Sequence, residues 1–307
     1  MTITVIGHLC IDQHSRSGEL EEQWGGILYS LLTLVHLMDE GDTIRPVFSV
    51  GKADSEKLMD LLKHYPSIDT RGIAITEEPT NRVMLIYHED GESRTECSRQ
   101  IAAPIPWARI KPALDADGIL INMVSGFDIT LETLDRIRME TREREIPIHL
   151  DLHSLTLGVD QHAKRFRRPV PEWRRWCFGI HTVQMSEEEA AGLPSERYPE
   201  PELVHQLMSL MVNNLLITRG SRGVTLVTQT NKKLSRHDVP GDNVGAVIDP
   251  TGCGDVFGAA WQYWYLKTHD PLEAAKRANH AAALNATVRG PEALTLLRRH
   301  RSMEVQQ

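Results

Sequence analysis

Several things are missing from this chain of 307 residues, and each absence narrows what it is. No apolar run approaches the ~20 residues a helix needs to cross a bilayer. Residues 2–7 are too few, and lack the basic flank, to read as a secretory signal. The four cysteines (Cys10, Cys97, Cys177, Cys253) stand far apart with no CxxC pair. That argues against a disulfide framework or a cysteine-based zinc site and fits a reducing, cytoplasmic setting. A positive balance is missing as well. The formal net charge is −8, so nucleic acid is a poor primary partner. Local basic runs read as solvated surface, although Arg165-Phe166-Arg167-Arg168 lies near mid-chain and could touch an anionic substrate. There is no internal repeat, low-complexity segment or long linker. What remains, 41% hydrophobic and 25% charged residues, is the composition of a soluble globular protein, and the economical reading is one compact α/β domain.

The chain is organised around residues 247–260. Residues 246–248 read as a short strand, two glycines follow one residue apart, and 256–267 reads as a helix. Glycines at a helix start let backbone N–H groups approach an anion, and the helix dipole favours negative charge there. Asp255 is out of place beside a phosphate unless it has a task. It could bind a metal, or it could take the proton from a hydroxyl that attacks the phosphate. The plain alternative is a helix-capping aspartate.

The other segments read in order. Residues 2–7 form a first buried strand, and Asp12 follows just past its C-terminal end, where ligands of open parallel sheets collect. Trp24-Gly25-Gly26 opens an apolar helix over 27–38; the glycine pair allows close approach to a ligand, or simply a sharp turn. A strand over 45–51 and a helix over 54–64 come next. Residues 70–76, 81–88 and 93–97 are β-rich, with Asp90-Gly91 as a hairpin turn signal. Strands over 118–123, 147–152, 178–184 and 214–218, with a helix over 131–144, predict a parallel sheet covered on both faces. His149, Asp151 and His153 share one face of a strand, a spacing open to a metal, though a core histidine with a satisfied partner is commoner. His153 lies nearer the strand end and the expected cleft. Ser186 and Glu189 form a capping box. Thr218 and Arg219-Gly220-Ser221-Arg222-Gly223 lead into a strand over 224–228, and 272–288 is an Ala-rich helix with Asn279 among small residues.

The run Asp249-Pro250-Thr251-Gly252-Cys253-Gly254-Asp255 resembles the second signature of the ribokinase-like (PfkB) family of sugar and nucleoside kinases. Members usually carry Ala at the position of Cys253, a change that leaves the backbone N–H in place. The other landmarks occur in the family order along nearly the whole chain. The resemblance implies a single domain over 1–307 with a ribokinase-like three-layer α/β/α fold. Its central sheet would be mostly parallel, with a small β-sheet lid built from about 12–23 and 70–100.

The resemblance also implies roles. Asp255 would be the catalytic base, with Gly252, Cys253 and Gly254 forming the anion hole. Asp12, Gly25 and Gly26 would hold the acceptor. Thr218, Gly220 and Gly223 would line the nucleotide phosphates, and Asn279 would look into the adenine pocket. Glu189 would organise water around Mg2+, although Ser186 stands where the family places Asn, so the capping box alone could account for it. Asp249 and Thr251 would border a monovalent cation such as K+. Ribokinases follow the glycine pair with Lys and Asn; here Ile27-Leu28-Tyr29-Ser30 points to another, less polar acceptor. The implied activity is transfer of the γ-phosphate of ATP to a hydroxymethyl group of a small sugar or polyol. A nucleoside kinase, or a non-catalytic metabolite sensor, is the alternative. The resemblance leaves open a homodimer built through the lid.

Overall fold

The structure is a computed structural model and describes residues 1–16, 19–87, 94–230 and 233–298. Its strands are β1 (Thr2–Ile6), β2 (Leu9–Arg16), β3 (Glu19–Gly26), β4 (Thr43–Gly51), β5 (Ile73–Thr76), β6 (Asn81–Tyr87), β7 (Arg94–Arg99), β8 (Gly118–Asn122), β9 (Ile148–Asp151), β10 (Leu157–Val159), β11 (Arg165–Arg167), β12 (Thr182–Ser186), β13 (Asn214–Thr218), β14 (Val224–Thr230) and β15 (Lys233–Val239). Its helices are α1 (Ile27–Leu37), α2 (Lys52–Leu62), α3 (Trp107–Ile110), α4 (Leu131–Thr141), α5 (Trp173–Cys177), α6 (Glu187–Gly192), α7 (Glu200–Met208), α8 (Cys253–Thr268) and α9 (Pro271–Asn285).

Nine strands make one large sheet in the order β15-β14-β13-β12-β9-β8-β1-β4-β5. Neighbours from β13 to β5 pair parallel, while β14 and β15 add an antiparallel edge. The alternation of side chains along each inner strand splits the core in two. Leu120 and Leu216 point into the layer formed with α1, α8 and α9. Ile119, Ile121, Leu215 and Ile217 point into the layer formed with α4, α5 and α7. The result is the expected α/β/α sandwich. β1 sits between β4 and β8, where the strand order reverses, so the crevice beyond its C-terminal end is where such sheets hold ligands.

A second sheet of four strands, β3-β2-β6-β7, stands apart from the first. β2 pairs antiparallel with β3 and parallel with β6, so this sheet is mixed. The β10–β11 hairpin is tied to β7 by the Ser98 N–H, which donates to Ala163 O at 2.8 Å.

The structure moves several expected boundaries. Residues 246–248 form no strand: Val247 and Ile248 lie exposed, and the Ile248 N–H donates to Ala286 O. Ile73–Thr76 pairs with β4 and extends the large sheet rather than the small one. Phe178 ends α5, so the expected strand begins later, at Thr182. The expected Asp90-Gly91 hairpin turn lies outside the described residues. No described helix is long and apolar enough to cross a membrane.

Candidate active site

The site forms where α8 begins. Gly252 caps that helix with φ 79° and ψ 0°, a left-handed conformation. A Cβ there would come within 2.4–2.5 Å of the Tyr29 ring, so only glycine fits, both for its backbone and for its space. The loop before it is braced from both sides. The Thr251 N–H donates to Asp249 Oδ1 at 3.0 Å. Asn285 Nδ2 donates to Thr251 O at 2.9 Å and to Cys253 Sγ at 3.3 Å. The Cys253 N–H closes a turn on Pro250 O at 3.2 Å, and Gly252 O takes the Val256 N–H. The Gly254 N–H precedes the first hydrogen bond of α8 and has no acceptor within the helix, at its positive end. Burial pushes the Cys253 thiol up to about 11, which keeps it a neutral part of the wall.

Asp255 lies one residue further along and is only 6% exposed. Asn122, the last residue of β8, donates from Nδ2 to its Oδ1 at 2.5 Å. Ser30 Oγ of α1 donates to the Asp255 carbonyl at 3.3 Å. Burial raises the Asp255 pKa above the usual aspartate range; His153 and the Asn122 hydrogen bond oppose the rise. His153 follows β9 in a short 3-10 turn, with φ 30°, a strained conformation for a non-glycine residue. Its burial works against protonation, but the carboxylates of Asp255, Asp151, Glu189 and Glu96 outweigh that and raise its pKa. His153 and Asp255 thus act on each other's protonation at the start of α8.

Beneath them runs a bridge that sequence reasoning did not find. Gln184 Nε2 donates to Asp151 Oδ2 at 2.9 Å and to Gly254 O at 3.0 Å, while its Oε1 pairs with His149 Nε2 at 3.2 Å. His149 therefore serves a core amide. Among the described residues no group of three His, Cys, Asp or Glu side chains could hold a metal, so the His149-Asp151-His153 spacing carries none.

On the other flank, Asp12 is buried on β2 and accepts from Cys10 Sγ at 3.2 Å. β3 pairs with that strand, and its Gly25 lies opposite Cys10. A Cβ on Gly25 would fall 2.1 Å from Asp12 Oδ2. On Gly26, with φ 61°, it would fall 2.7 Å from His8 O. The glycine pair is thus required by the close approach of the aspartate and of the turn after β1.

Beyond the loop opens a cavity of about 360 Å³. Thr218, Gly220, Gly223, Gly254 and Asn279 line it together with Val244, Val247, Phe257, Ala282 and Ala286. Gly223, at φ 93°, packs where a Cβ would lie 2.1 Å from Val239 O. Asn279 donates from Nδ2 to Pro240 O at 2.6 Å, so part of its amide holds the cavity wall. Glu189 is less free than its position suggests. One oxygen takes the Ser186 N–H at 2.7 Å in the capping box, and the other lies 3.6 Å from Arg167 Nη1.

Asn122, Tyr29 and Gln184 are the site residues that sequence reasoning missed. Asn122 alone carried a signal, as a polar residue near the end of an apolar strand at the expected cleft.

Comparison with known proteins bears out the fold. The model of the pfkB family carbohydrate kinases matches residues 162–296. A deoxyribokinase of Salmonella typhi is 23% identical over 173 residues, covering 54% of this chain and 55% of its own. A ribokinase of Arabidopsis thaliana is 24% identical over 264 residues, covering 80% and 63%. The chain thus spans between half and two thirds of the length of these curated relatives. Among solved structures, a pyrophosphate-dependent kinase in the ribokinase family superposes with a TM-score of 0.79 at 17% identity, covering 98% of this chain and 99% of that one. The late signature and the match over residues 162–296 make the chain similar to the pfkB carbohydrate kinases, and the superposition shows a ribokinase-like fold.

Proposed function

We propose that the protein transfers the γ-phosphate of ATP to a hydroxymethyl group of a small sugar or polyol. The observation that carries this reading is a buried carboxylate, Asp255, in the first turn of a helix whose glycine-capped N-terminus borders a cavity. A carboxylate beside an anion site is costly unless it serves the nucleophile. Asp12 and the Gly25-Gly26 backbone hold the acceptor under the small sheet, which acts as a lid and excludes water as a rival nucleophile. Asp255 takes the hydroxyl proton as attack begins, and Asn122 keeps its carboxylate aimed. The amides of Gly252 and Gly254, together with His153, face the charge that develops on the transferred group, while the Cys253 N–H, held by Pro250 O, shapes the turn between them.

ATP suits the apolar end of the cavity. Val244, Phe257, Ala282 and Ala286 offer a slot for a flat base, with Thr218, Gly220 and Gly223 near the phosphates and Asn279 at the base edge. A bare pyrophosphate donor would leave that slot without purpose.

Mg2+ fits as an ion carried by the nucleotide's phosphates rather than held in a protein cage, since no described cluster would enclose it. Glu189 would then act through water, after yielding Arg167, and the ion would offset charge on the phosphates. Asp249 is 2% exposed, and among the described residues no cationic side chain pairs with it. It and Thr251 could border K+, which would steady the loop.

The test is donor consumption with Mg2+ and K+ against a panel of sugars, polyols and nucleosides, with ATP and pyrophosphate as donors. Turnover with ATP and one hydroxylated acceptor is expected. Asp255→Asn should keep nucleotide affinity and lose about 10²–10⁴-fold in kcat. Retained kcat in that variant would remove the base assignment. Turnover only with a nucleoside would select the nucleoside kinase, and acceptor binding with no donor consumed would select a sensor.

A further inference from the structure

Helix α1 opens with an aromatic residue against the anion loop. Tyr29 is 1% exposed, and its ring covers Gly252 so closely that a built Cβ would lie 2.4 Å from Cδ1 and 2.5 Å from Cε1. Its main chain is fixed by Thr33 Oγ1, which donates to Tyr29 O at 2.8 Å. Its hydroxyl accepts from Gln23 Nε2 at 3.4 Å. That amide also pairs with His14 Nε2 at 2.8 Å. Gln23 belongs to β3 and His14 to β2, both in the small sheet. Gln23 Oε1 in turn lies 3.1 Å from a built Cβ at Gly290, in the turn after α9.

One side chain therefore touches both moving parts of the proposed reaction. The flat face of the ring meets the one left-handed residue that sets the direction of the loop amides. The polar tip meets Gln23 of β3, which links it to His14 of β2 in the sheet proposed to cover the acceptor. Burial, then the charges of Asp12, Asp249 and Asp255, raise the phenol well above its ordinary value, so it stays a neutral hydroxyl between the acceptor side and the loop.

We propose that Tyr29 is a positioning residue: its ring is the template for the Gly252 turn, and its hydroxyl, through Gln23 and His14, reports lid placement to the anion hole. The inference rests on the kinase reading for its consequence in turnover but not for its structural content. A flat ring against a glycine Cα restricts that residue without a hydrogen bond. A misplacement of about 1 Å of the amides would cost on the order of 10²-fold in rate.

The experiment compares Tyr29→Leu, Tyr29→Phe and Gln23→Leu with wild type, by amide hydrogen exchange over residues 250–256 without ligand and by steady-state kinetics. Leucine keeps an apolar side chain at this position and removes the flat face. Tyr29→Leu is expected to speed exchange across the loop and to lower kcat by about 10²-fold while the KM for ATP holds. Tyr29→Phe is expected to rescue loop exchange and kcat but to raise the acceptor KM, and Gln23→Leu to copy it. A folded Tyr29→Leu with wild-type loop exchange would overturn the template. Unchanged acceptor KM in both Tyr29→Phe and Gln23→Leu would overturn the link to the lid, and those two variants decide it even where Tyr29→Leu does not fold. An inactive wild type would count against the kinase reading alone, because the exchange result is read without turnover.

Discussion

In the proposed reaction Asp255 serves reactivity at the expense of stability. Its folded pKa is raised, so the folded state holds the proton more tightly than the unfolded chain does. Stability from this group is greatest in acid and falls as pH rises through the raised pKa. At neutral pH the ionised carboxylate is a burden on the fold. Asp255→Asn should therefore raise Tm at pH 7 while removing turnover, and the gain should shrink toward pH 4; a lower Tm at pH 7 would contradict the burial account. The acidic limb of the rate should likewise lie above the ordinary aspartate range. Asp255 and its glycines were legible because their meaning is local, within seven consecutive residues. Asn122 was not, because it reaches Asp255 across 133 positions of sequence. Tyr29 looked like one more apolar residue of a buried helix, and nothing in a sequence tells which glycine a ring will cover.

Among the elements, α6 carries a conflict of duties. Ser186 and Glu189 satisfy each other's backbone in a complete capping box, as the sequence indicated. The same carboxylate is the one the family resemblance assigns to water around Mg2+. Ser186→Ala should cost about 1 kcal/mol of stability, measured by urea unfolding. Ser186→Asn should keep the cap, since Asn caps equally well, and any change it makes in the Mg2+ dependence of turnover reports on Glu189 directly. α8 starts at Cys253, earlier than its apolar periodicity suggests, because polar and glycine residues in a first turn carry no periodic signal. The strand expected over 246–248 is absent for a related reason. Three apolar residues in a row fit a strand, but here Val247 lines the cavity beside the loop and is 68% exposed.

Over the whole molecule, the alternation of strands and helices gave the sandwich and its parallel sheet, and the β-rich insert gave a second sheet. Assigning Ile73–Thr76 to that second sheet failed because strand propensity says nothing about which edge a strand joins. The core also fixes the response to acid. His36 and His149, almost fully buried, are pushed down to about 4 and about 3 from 6.5, mainly by burial. The unfolded chain binds their protons first, so the stability they contribute is complete above pH 6.5 and is lost as pH falls toward 4. By pH 5 each should have cost about 2 kcal/mol. Denaturant midpoints between pH 7 and 5 should fall accordingly, and His149→Gln should flatten that slope.

The short passage from β1 to β2 has a mechanical consequence. Only Gly7 and His8 separate the central strand of the body from the first strand of the small sheet. His8 is anchored through its N–H to Asp128 at 2.6 Å, and a side chain on Gly7 would strike Asn122 O at 2.5 Å. The chain re-enters the body at Gly26, directly opposite Leu9. The β2–β3 pair is thus joined at both ends to the centre of the body, against the backbone of Asn122, whose side chain bonds Asp255. Under the proposed reaction, the strand that carries Asp12 and the strand end that holds Asp255 would share that one joint.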